Sequence, residues 1–393
     1  MIPSQTHEVI VVGGGLIGKA TALRLSQARL SVTLLTRPPP PTALSADAWD
    51  SRIYSLSSSS QALFEKMNVW QALDSSRLNP VYDIRVFGDG DAHSELHFSA
   101  YQASVPQLAW IVELSNLERA LDTALRFSPQ VHWLNAEVEG LSITEESATL
   151  RLKNDISLSA SLIVGADGSQ SWMRQASGLD GSRRSYKQIG IVCNFLAERP
   201  HRDTAFQWFV DGEIIALLPL PEQKVSLVWS AFDKHAQHLL GMEPGVFAEH
   251  LAPWVADELG ALTPISTKTQ GFSLSLAQSK RLIAPRVALV GDAAHTVHPL
   301  SGQGMNLGLR DVSVLADIIS GRESFRSPGD SVVLRRYERA RREDIDSIVL
   351  MTDGLQRIFA LGGSLTKFIR NTGLNGINAL PLLKRFLIGR ASG

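Results

Sequence analysis

Six residues near the start of the chain, Gly13-Gly14-Gly15-Leu16-Ile17-Gly18, restrict the fold more than any other segment. They follow an apolar strand candidate, His7 to Val12, and open a helix candidate, Lys19 to Ala28; Leu30 to Leu35 then reads as a second strand. In a G-x-G-x-x-G pattern, Gly13 permits a tight turn and Gly15 lets a pyrophosphate approach the backbone. Gly18 lets the helix pack closely on the sheet, and the helix N-terminus favours an anion. Strand, glycine turn, helix and strand make a βαβ unit, so the spacing predicts a parallel sheet that holds a dinucleotide. One part of the pattern is missing. The acidic residue that would hold a ribose hydroxyl at the end of the second strand is replaced by Thr36, which hydrogen-bonds without a carboxylate's charge.

That unit occupies a small part of 393 residues, a length of two or three domains at ~150 residues each. Lys and Arg number 38 and Asp and Glu 39, so the net charge of −1 excludes bulk binding to nucleic-acid phosphates. A single cysteine, Cys193, excludes an internal disulfide framework and a Cys-based zinc or iron–sulfur site, and in a strand it reads as a small buried hydrophobe. No basic region precedes the first apolar run, and no uncharged apolar stretch reaches the ~20 residues of a spanning helix. These features predict a soluble, cytoplasmic protein.

The near-neutral total conceals an imbalance. From Gly354 to Gly393 there is no acidic residue, and Arg357, Lys367, Arg370, Lys384, Arg385 and Arg390 give +6, leaving −7 on the rest. The same segment carries apolar residues such as Phe359, Phe368, Leu383 and Phe386. A basic, apolar end suits either an anionic membrane surface, here the inner face, or a partner in an assembly; the alternative is a helix pair packed on the body.

Two further glycine elements follow. Gly165-Ala166-Asp167-Gly168 comes after the strand candidate Ser161 to Val164, with Arg174 beyond it. Gly291-Asp292-Ala293-Ala294-His295 comes after Arg286 to Val290 and leads through Pro299 to Gly302-Gln303-Gly304-Met305-Asn306-Leu307-Gly308. An Asp behind a strand-ending Gly can accept hydrogen bonds from a sugar or ribitol chain. The Gly302/Gly304 pair at a helix start offers free N–H groups and a positive dipole end, suited to a flavin ring that becomes anionic on reduction. Between these elements lies a β-rich stretch: Ile189 to Phe195, Ala205 to Val210, Glu213 to Leu218 and Lys224 to Ser230. Pro38 to Pro41 reads as an extended loop.

In this order and spacing, the three elements resemble the FAD-dependent aromatic hydroxylases, the flavin monooxygenases typified by para-hydroxybenzoate hydroxylase, over about residues 7 to 350. Asp50-x-Arg52-x-x-x-Leu56-Ser57 with Leu63 and Trp70, Ala205 to Phe209, Ile215 to Leu220, Val225 to Ser230 and Gly291 to Gly308 resemble the branch that hydroxylates ubiquinone precursors. The resemblance implies an α/β fold: a Rossmann-type FAD-binding domain (1–75, 104–182 and 277–350), an inserted mixed β-sheet substrate domain (76–103 and 183–276) and a C-terminal helical tail (351–393). It implies FAD as cofactor with NAD(P)H and O2 as co-substrates, and a polyprenylated phenol as substrate. The reduced flavin would trap O2 as a C4a-hydroperoxide and pass one oxygen to the ring.

On this resemblance Gly13, Gly15 and Gly18 hold the pyrophosphate with Arg52 nearby, Asp292 holds the ribitol, and Asp167 with Gly168 serves FAD and NAD(P)H. Pro299, Gly302, Gln303, Gly304, Met305 and Asn306 lie against the flavin ring. Phe206, Trp208, Leu218 and Trp229 wall the substrate chamber or belong to the core. His295 and His298 act as acid–base groups or fix the loop by hydrogen bonds. His235 and His238, at i, i+3 spacing, lack a pattern that completes a metal site. Leu114 stands where relatives often carry a polar FAD contact, so with Thr36 it predicts a thinner cofactor grip. Two other functions fit the same motifs: a flavin hydroxylase or reductase for another aromatic or isoprenoid substrate, and a non-catalytic FAD-fold scaffold subunit.

Overall fold

The computed structural model describes residues 6–37, 49–88, 95–266, 268–298 and 302–360, and side chains as far as Gly354. Pro299, Pro38 to Pro41 and the chain beyond Ala360 lie outside the described residues. In the strand Thr6–Val12, three successive residues, Val9, Ile10 and Val11, are fully buried, so both faces of the sheet are covered there. The strand pairs in parallel with Val32–Thr36 on one side and Ser157–Gly165 on the other. Val131–Asn135 and Val287–Leu289 extend the parallel set outward. Ile283–Ala284, Ala148–Leu152 and Val138–Ile143 add antiparallel strands, giving eight among the described residues. Helix Leu16–Gln27 begins within the first glycine turn, three residues ahead of the sequence expectation.

Register places the three glycine elements together. Val12 lies opposite Gly165, and Gly165 opposite Leu289, so three adjacent parallel strands end on one edge. Each is followed by one motif. Ligands of open parallel sheets bind outside these carboxyl ends.

Among the described residues a second sheet has nine strands, with Ser182–Ala197, Lys224–Phe232, Glu213–Pro219, Thr204–Val210 and Asp83–Phe87 side by side near its middle. Helices Asp233–Leu240 and Pro244–Leu259 cover one face through Ala236, Leu239, Phe247, Leu251 and Val255. The other face meets a three-stranded sheet, Ile53–Leu56, Ala109–Glu113 and Leu78–Val81, through Ala205, Leu220, Ile111 and Val81. This small sheet draws strands from all three of the first sequence segments. His295–Thr296, expected in the first body, pairs instead with Gln270–Gln278 of the second sheet. The last helix, Ser331–Ala360, has 30 residues, or ~45 Å at 1.5 Å per residue.

Candidate active site

The glycines at the carboxyl edge divide into two kinds. A Cβ on Gly13, whose φ is +127°, would stand 2.2 Å from the Ala166 carbonyl oxygen, and one on Gly18 would stand 1.9 Å from the Gly13 oxygen. These two are glycine because backbone meets backbone. Gly15 and Gly168 differ: a Cβ on either would have no heavy atom within 4 Å. Gly304 is nearly as open, its nearest neighbour being Val297 Cγ2 at 3.8 Å. No packing within the protein calls for glycine at Gly15, so the space beside it fits a ligand.

Asp167 is already engaged. Its carboxylate accepts from the Ser171 hydroxyl and, at 2.9 Å, from the Met173 N–H, capping the helix Trp172–Ala176. Buried Arg174 ties the second element to the third, donating to the Ala293 carbonyl at 3.0 Å and to Ser169 at 3.1 Å. In the third element Gly291 has φ +60° and Gly308 lies against it, a Cβ there meeting Gly291 Cα at 3.1 Å and Ile17 at 2.9 Å. The carboxylate of Asp292 is solvent-accessible yet hemmed in by protein, and this confinement raises its pKa, opposed by nearby His295.

Helix Gln303–Ser320 starts at Gly302, with φ +63°, no side-chain cap and no acidic residue in its first turn. Its free N–H groups and dipole present a positive end. Gln303 is buried and accepts from Arg310 at 3.3 Å, while Met305 is half-buried. Asn306, expected among the cofactor contacts, has its side chain committed to the protein. Its oxygen accepts from Ser57 N–H at 2.9 Å and Ser60 hydroxyl at 2.7 Å, and its amide donates to the carbonyls of Ser55 and Gly302.

Arg52 is more than half exposed beside buried Asp50. Two residues on, Tyr54 shares its strand face, and its pKa is pushed up to about 12 by burial and then by Asp292, with Arg52 opposing. Tyr54 therefore stays a neutral hydroxyl within electrostatic reach of Asp292 and Arg52; sequence reasoning missed it, although alternation from Arg52 points to it. Thr36 does not offer a free hydroxyl: it donates to the side-chain oxygen of Asn135, its register partner on the neighbouring strand. Exposed Asn135 is a second missed residue, brought there only by strand pairing. Leu114 is buried in the main core, and its N–H donates to the Arg52 carbonyl at 2.9 Å.

His295 is part of a buried charge network. Asp311 accepts from His295 Nε2 at 2.6 Å, Arg341 Nε at 2.7 Å and Gly291 N–H at 2.8 Å. Arg341 also reaches Asp344 at 2.5 Å. This bonding favours the loop-fixing role for His295. His298, fully buried, pairs with Gln188 at 3.2 Å, which requires its Nε2–H tautomer. Burial pushes its pKa from 6.5 to about 4, so it is neutral at physiological pH and unsuited to acid–base work there. The unfolded chain then binds more protons than the folded one between those values, so stability from this site is present above pH 6.5 and lost as pH falls toward 4. From pH 7 to pH 5 the loss is about 2 kcal/mol, and His298→Gln flattens that slope in urea titrations at the two pH values.

The sheet aromatics require a correction. Phe206, Trp208 and Trp229 do not wall a chamber beside the cofactor cleft; they belong to the core beneath helices Asp233–Leu240 and Pro244–Leu259. Trp229 donates to Glu213 at 2.9 Å and packs on Phe247. The opposite face turns to the cleft, as shown by Asn194 donating to the Asp50 carbonyl at 3.0 Å and by Gln188 on His298. Leu218 lies on this inner face, and a cross-strand row of Gln207, Ala216, Val228 and Val192 shares it. Alternation puts Phe206 and Trp208 on one face, but only the covering helices decide which. Among the described residues no group of His, Cys, Asp and Glu forms a metal site, His235 and His238 included.

Together the fold and the cleft define a dinucleotide-binding α/β protein with a second sheet turned to the cleft. Residues 6–351 match the FAD binding domain family. The chain is 32% identical to the ubiquinone hydroxylase UbiL of Rhodospirillum rubrum, over 99% of this chain and 90% of that protein. It is also 32% identical to the 3-demethoxyubiquinol 3-hydroxylase of Escherichia coli, over 99% of each. Among solved structures it superposes on P. aeruginosa PqsL in complex with 2-aminobenzoylacetate with a TM-score of 0.79 and 22% identity, over 94% of this chain and 100% of that one. Klebsiella pneumoniae HpxO complexed with FAD and uric acid gives 0.74 and 18%, over 96% and 97%. The chain belongs to the FAD-binding flavoprotein monooxygenase family.

Proposed function

We propose that the protein is an FAD-dependent monooxygenase that uses NAD(P)H and O2 to hydroxylate the aromatic ring of a polyprenylated phenol in ubiquinone biosynthesis. The observation that carries this reading is the convergence of three glycine elements on adjacent strand ends, with open space at Gly15, Gly168 and Gly304. The names and full-length coverage of the relatives support the substrate class.

Gly15 and the N-terminus of Leu16–Gln27 hold the pyrophosphate, with exposed Arg52 adding charge. Asn135, fixed by Thr36, takes the place of the acidic ribose ligand. Asp292 accepts from the ribitol, and Tyr54 offers a hydroxyl that does not ionise in the working range. Asp167 shapes the turn that presents Gly168. The first turn of Gln303–Ser320 gives N–H groups to the flavin's pyrimidine edge. When bound, FAD supplies the redox chemistry: NAD(P)H, H+, O2 and the phenol become NAD(P)+, water and the hydroxylated ring. In the inner-face row, Ala216, Val228 and Val192 form an apolar floor that keeps water from the ring, Leu218 extends it, and Gln207 sets a polar amide at its end.

Adding FAD to the apoprotein is expected to give a bound-flavin visible band, and a prenylated phenol to accelerate NAD(P)H oxidation. A flavin band with no such acceleration counts against this substrate, and no flavin band even with excess FAD removes the enzyme readings. Ala216→Phe is expected to raise KM for the phenol at least about tenfold with FAD binding unchanged, whereas Trp229→Phe lowers stability and leaves KM alone. Steady-state kinetics on both variants separates the two faces of the sheet.

No helix among the described residues is long and apolar enough to cross a membrane. The basic, apolar segment from Gly354 onward supports contact with an anionic membrane surface, where the prenyl tail would be found. A chain ended at Ala360 is expected to co-sediment less with anionic vesicles; equal co-sedimentation removes that contact.

A further inference from the structure

The register of the second sheet slips beside the cleft. Ser185 of Ser182–Ala197 pairs with Ser275, and Ile189 pairs with Ser273, so Tyr186, Lys187 and Gln188 all face Leu274. Lys187 takes a φ of 55° at this bulge. Bulges of this kind re-aim side chains, often beside active sites. Here Tyr186 and Gln188 both close on His298, the last described residue before Pro299. The Tyr186 and His298 rings meet edge to face with centroids 4.8 Å apart. Gln188 holds His298 Nε2 at 3.2 Å, and its own amide is oriented by donation to the Gly212 carbonyl at 3.2 Å.

Behind this clamp stands the last helix. The Tyr186 hydroxyl donates to Asp353 Oδ1 at 3.3 Å; Arg184 also donates to Asp353 and lies 5.3 Å over the Tyr186 ring. The same helix carries Arg341, which holds Asp311 and through it His295. The stretch from His295 to His298 is thus gripped at both ends from Ser331–Ala360, at points ~18 Å apart along the helix axis.

We propose that Tyr186 and Asp353 are positioning residues for the hydroxylation: acting through His298, they set where the neighbouring Val297, which lies beside Gly304, sits against the start of the flavin-facing helix Gln303–Ser320. The proposal rests on the reading of that helix start as flavin-facing. With His298 released, the stretch His295–His298 is held at one end only, and its shift at Val297 displaces the helix start that would hold the ring and lets water reach it. The cost then falls on oxygen transfer and much less on FAD binding.

The test uses the full chain reconstituted with FAD, comparing Tyr186→Phe, Tyr186→Leu, Asp353→Asn and the double variant Tyr186→Phe/Asp353→Asn. Three quantities are measured: the visible spectrum of the bound flavin, the fraction of oxidised NAD(P)H that appears as hydroxylated product instead of hydrogen peroxide, and the melting temperature. All four variants are expected to retain FAD with a shifted flavin band. In Tyr186→Leu the coupled fraction falls at least about threefold. Tyr186→Phe and Asp353→Asn fall alike, and the double variant is no worse than either, because both cut one link. A wild-type flavin band and coupling in Tyr186→Leu overturns the proposal, as do additive losses in the double variant. Should Tyr186→Leu fail to fold, wild-type band and coupling in both Tyr186→Phe and Asp353→Asn overturns it equally. If the wild-type chain itself shows no flavin band with excess FAD, the functional reading falls first and this proposal with it.

Discussion

Gly15→Val is expected to abolish FAD binding, with affinity down at least about 100-fold, and to leave the apoprotein folded, with a loss of no more than about 1 kcal/mol for a branched residue at the helix N-cap. The backbone at Gly15 has φ −76° and ψ 178°, an extended conformation open to a branched residue, and no protein atom lies where its Cβ would go. The added methyls would instead fill the space that a pyrophosphate needs at the helix N-terminus. Gly13→Ala and Gly18→Ala are the contrasting pair. Their Cβ atoms would stand 2.2 and 1.9 Å from backbone oxygens, so the fold itself loses at least about 3 kcal/mol. Flavin fluorescence titration alongside urea denaturation distinguishes the two classes; Gly15→Val that keeps stoichiometric FAD would mean the first motif has another use.

Arg341→Met is expected to lower unfolding free energy by about 3–5 kcal/mol, because it leaves the fully buried Asp311 carboxylate with its main cation gone. Asp311→Asn in the same chain recovers part of that loss, since no uncompensated charge then remains inside. Burial alone would raise the Asp311 pKa, but His295 and Arg341 outweigh it and hold the carboxyl below its ordinary value. Its stabilising contribution is therefore present above the ordinary carboxylate range and lost as pH falls through the lowered folded value. Urea midpoints of the two single variants and the double variant decide the matter: a double variant no more stable than Arg341→Met shows that the charge is not what the site compensates.

The features written locally in the chain were legible. Gly13 to Gly18, Asp167-Gly168 and Gly291-Asp292 each state their turn within a few residues, and apolar runs before them mark the strands. The strand candidates at Ala205, Glu213 and Lys224 start within one residue of their observed beginnings. What required the fold was joined across long stretches of chain. Asn135 reaches Thr36 across 99 positions by parallel pairing, and Tyr186 reaches Asp353 across 167. Neither partner carries a local pattern that announces the other. The sheet aromatics failed for a different reason: period-two alternation groups Phe206 with Trp208 but is silent on which face two later helices will cover. Asn306 sat in the right motif, yet its four hydrogen bonds hold Ser55, Ser57, Ser60 and Gly302 together.

The central claim is that a flavin held at the three glycine elements delivers oxygen to an aromatic ring. Its most direct test incubates the FAD-loaded protein with NAD(P)H, a prenylated phenol and isotopically labelled O2, followed by mass spectrometry of the ring. The account predicts a product that has gained one oxygen atom from O2, formed by the wild-type chain and absent with Gly15→Val. Bound flavin and NAD(P)H oxidation with no labelled oxygen in the ring would contradict it.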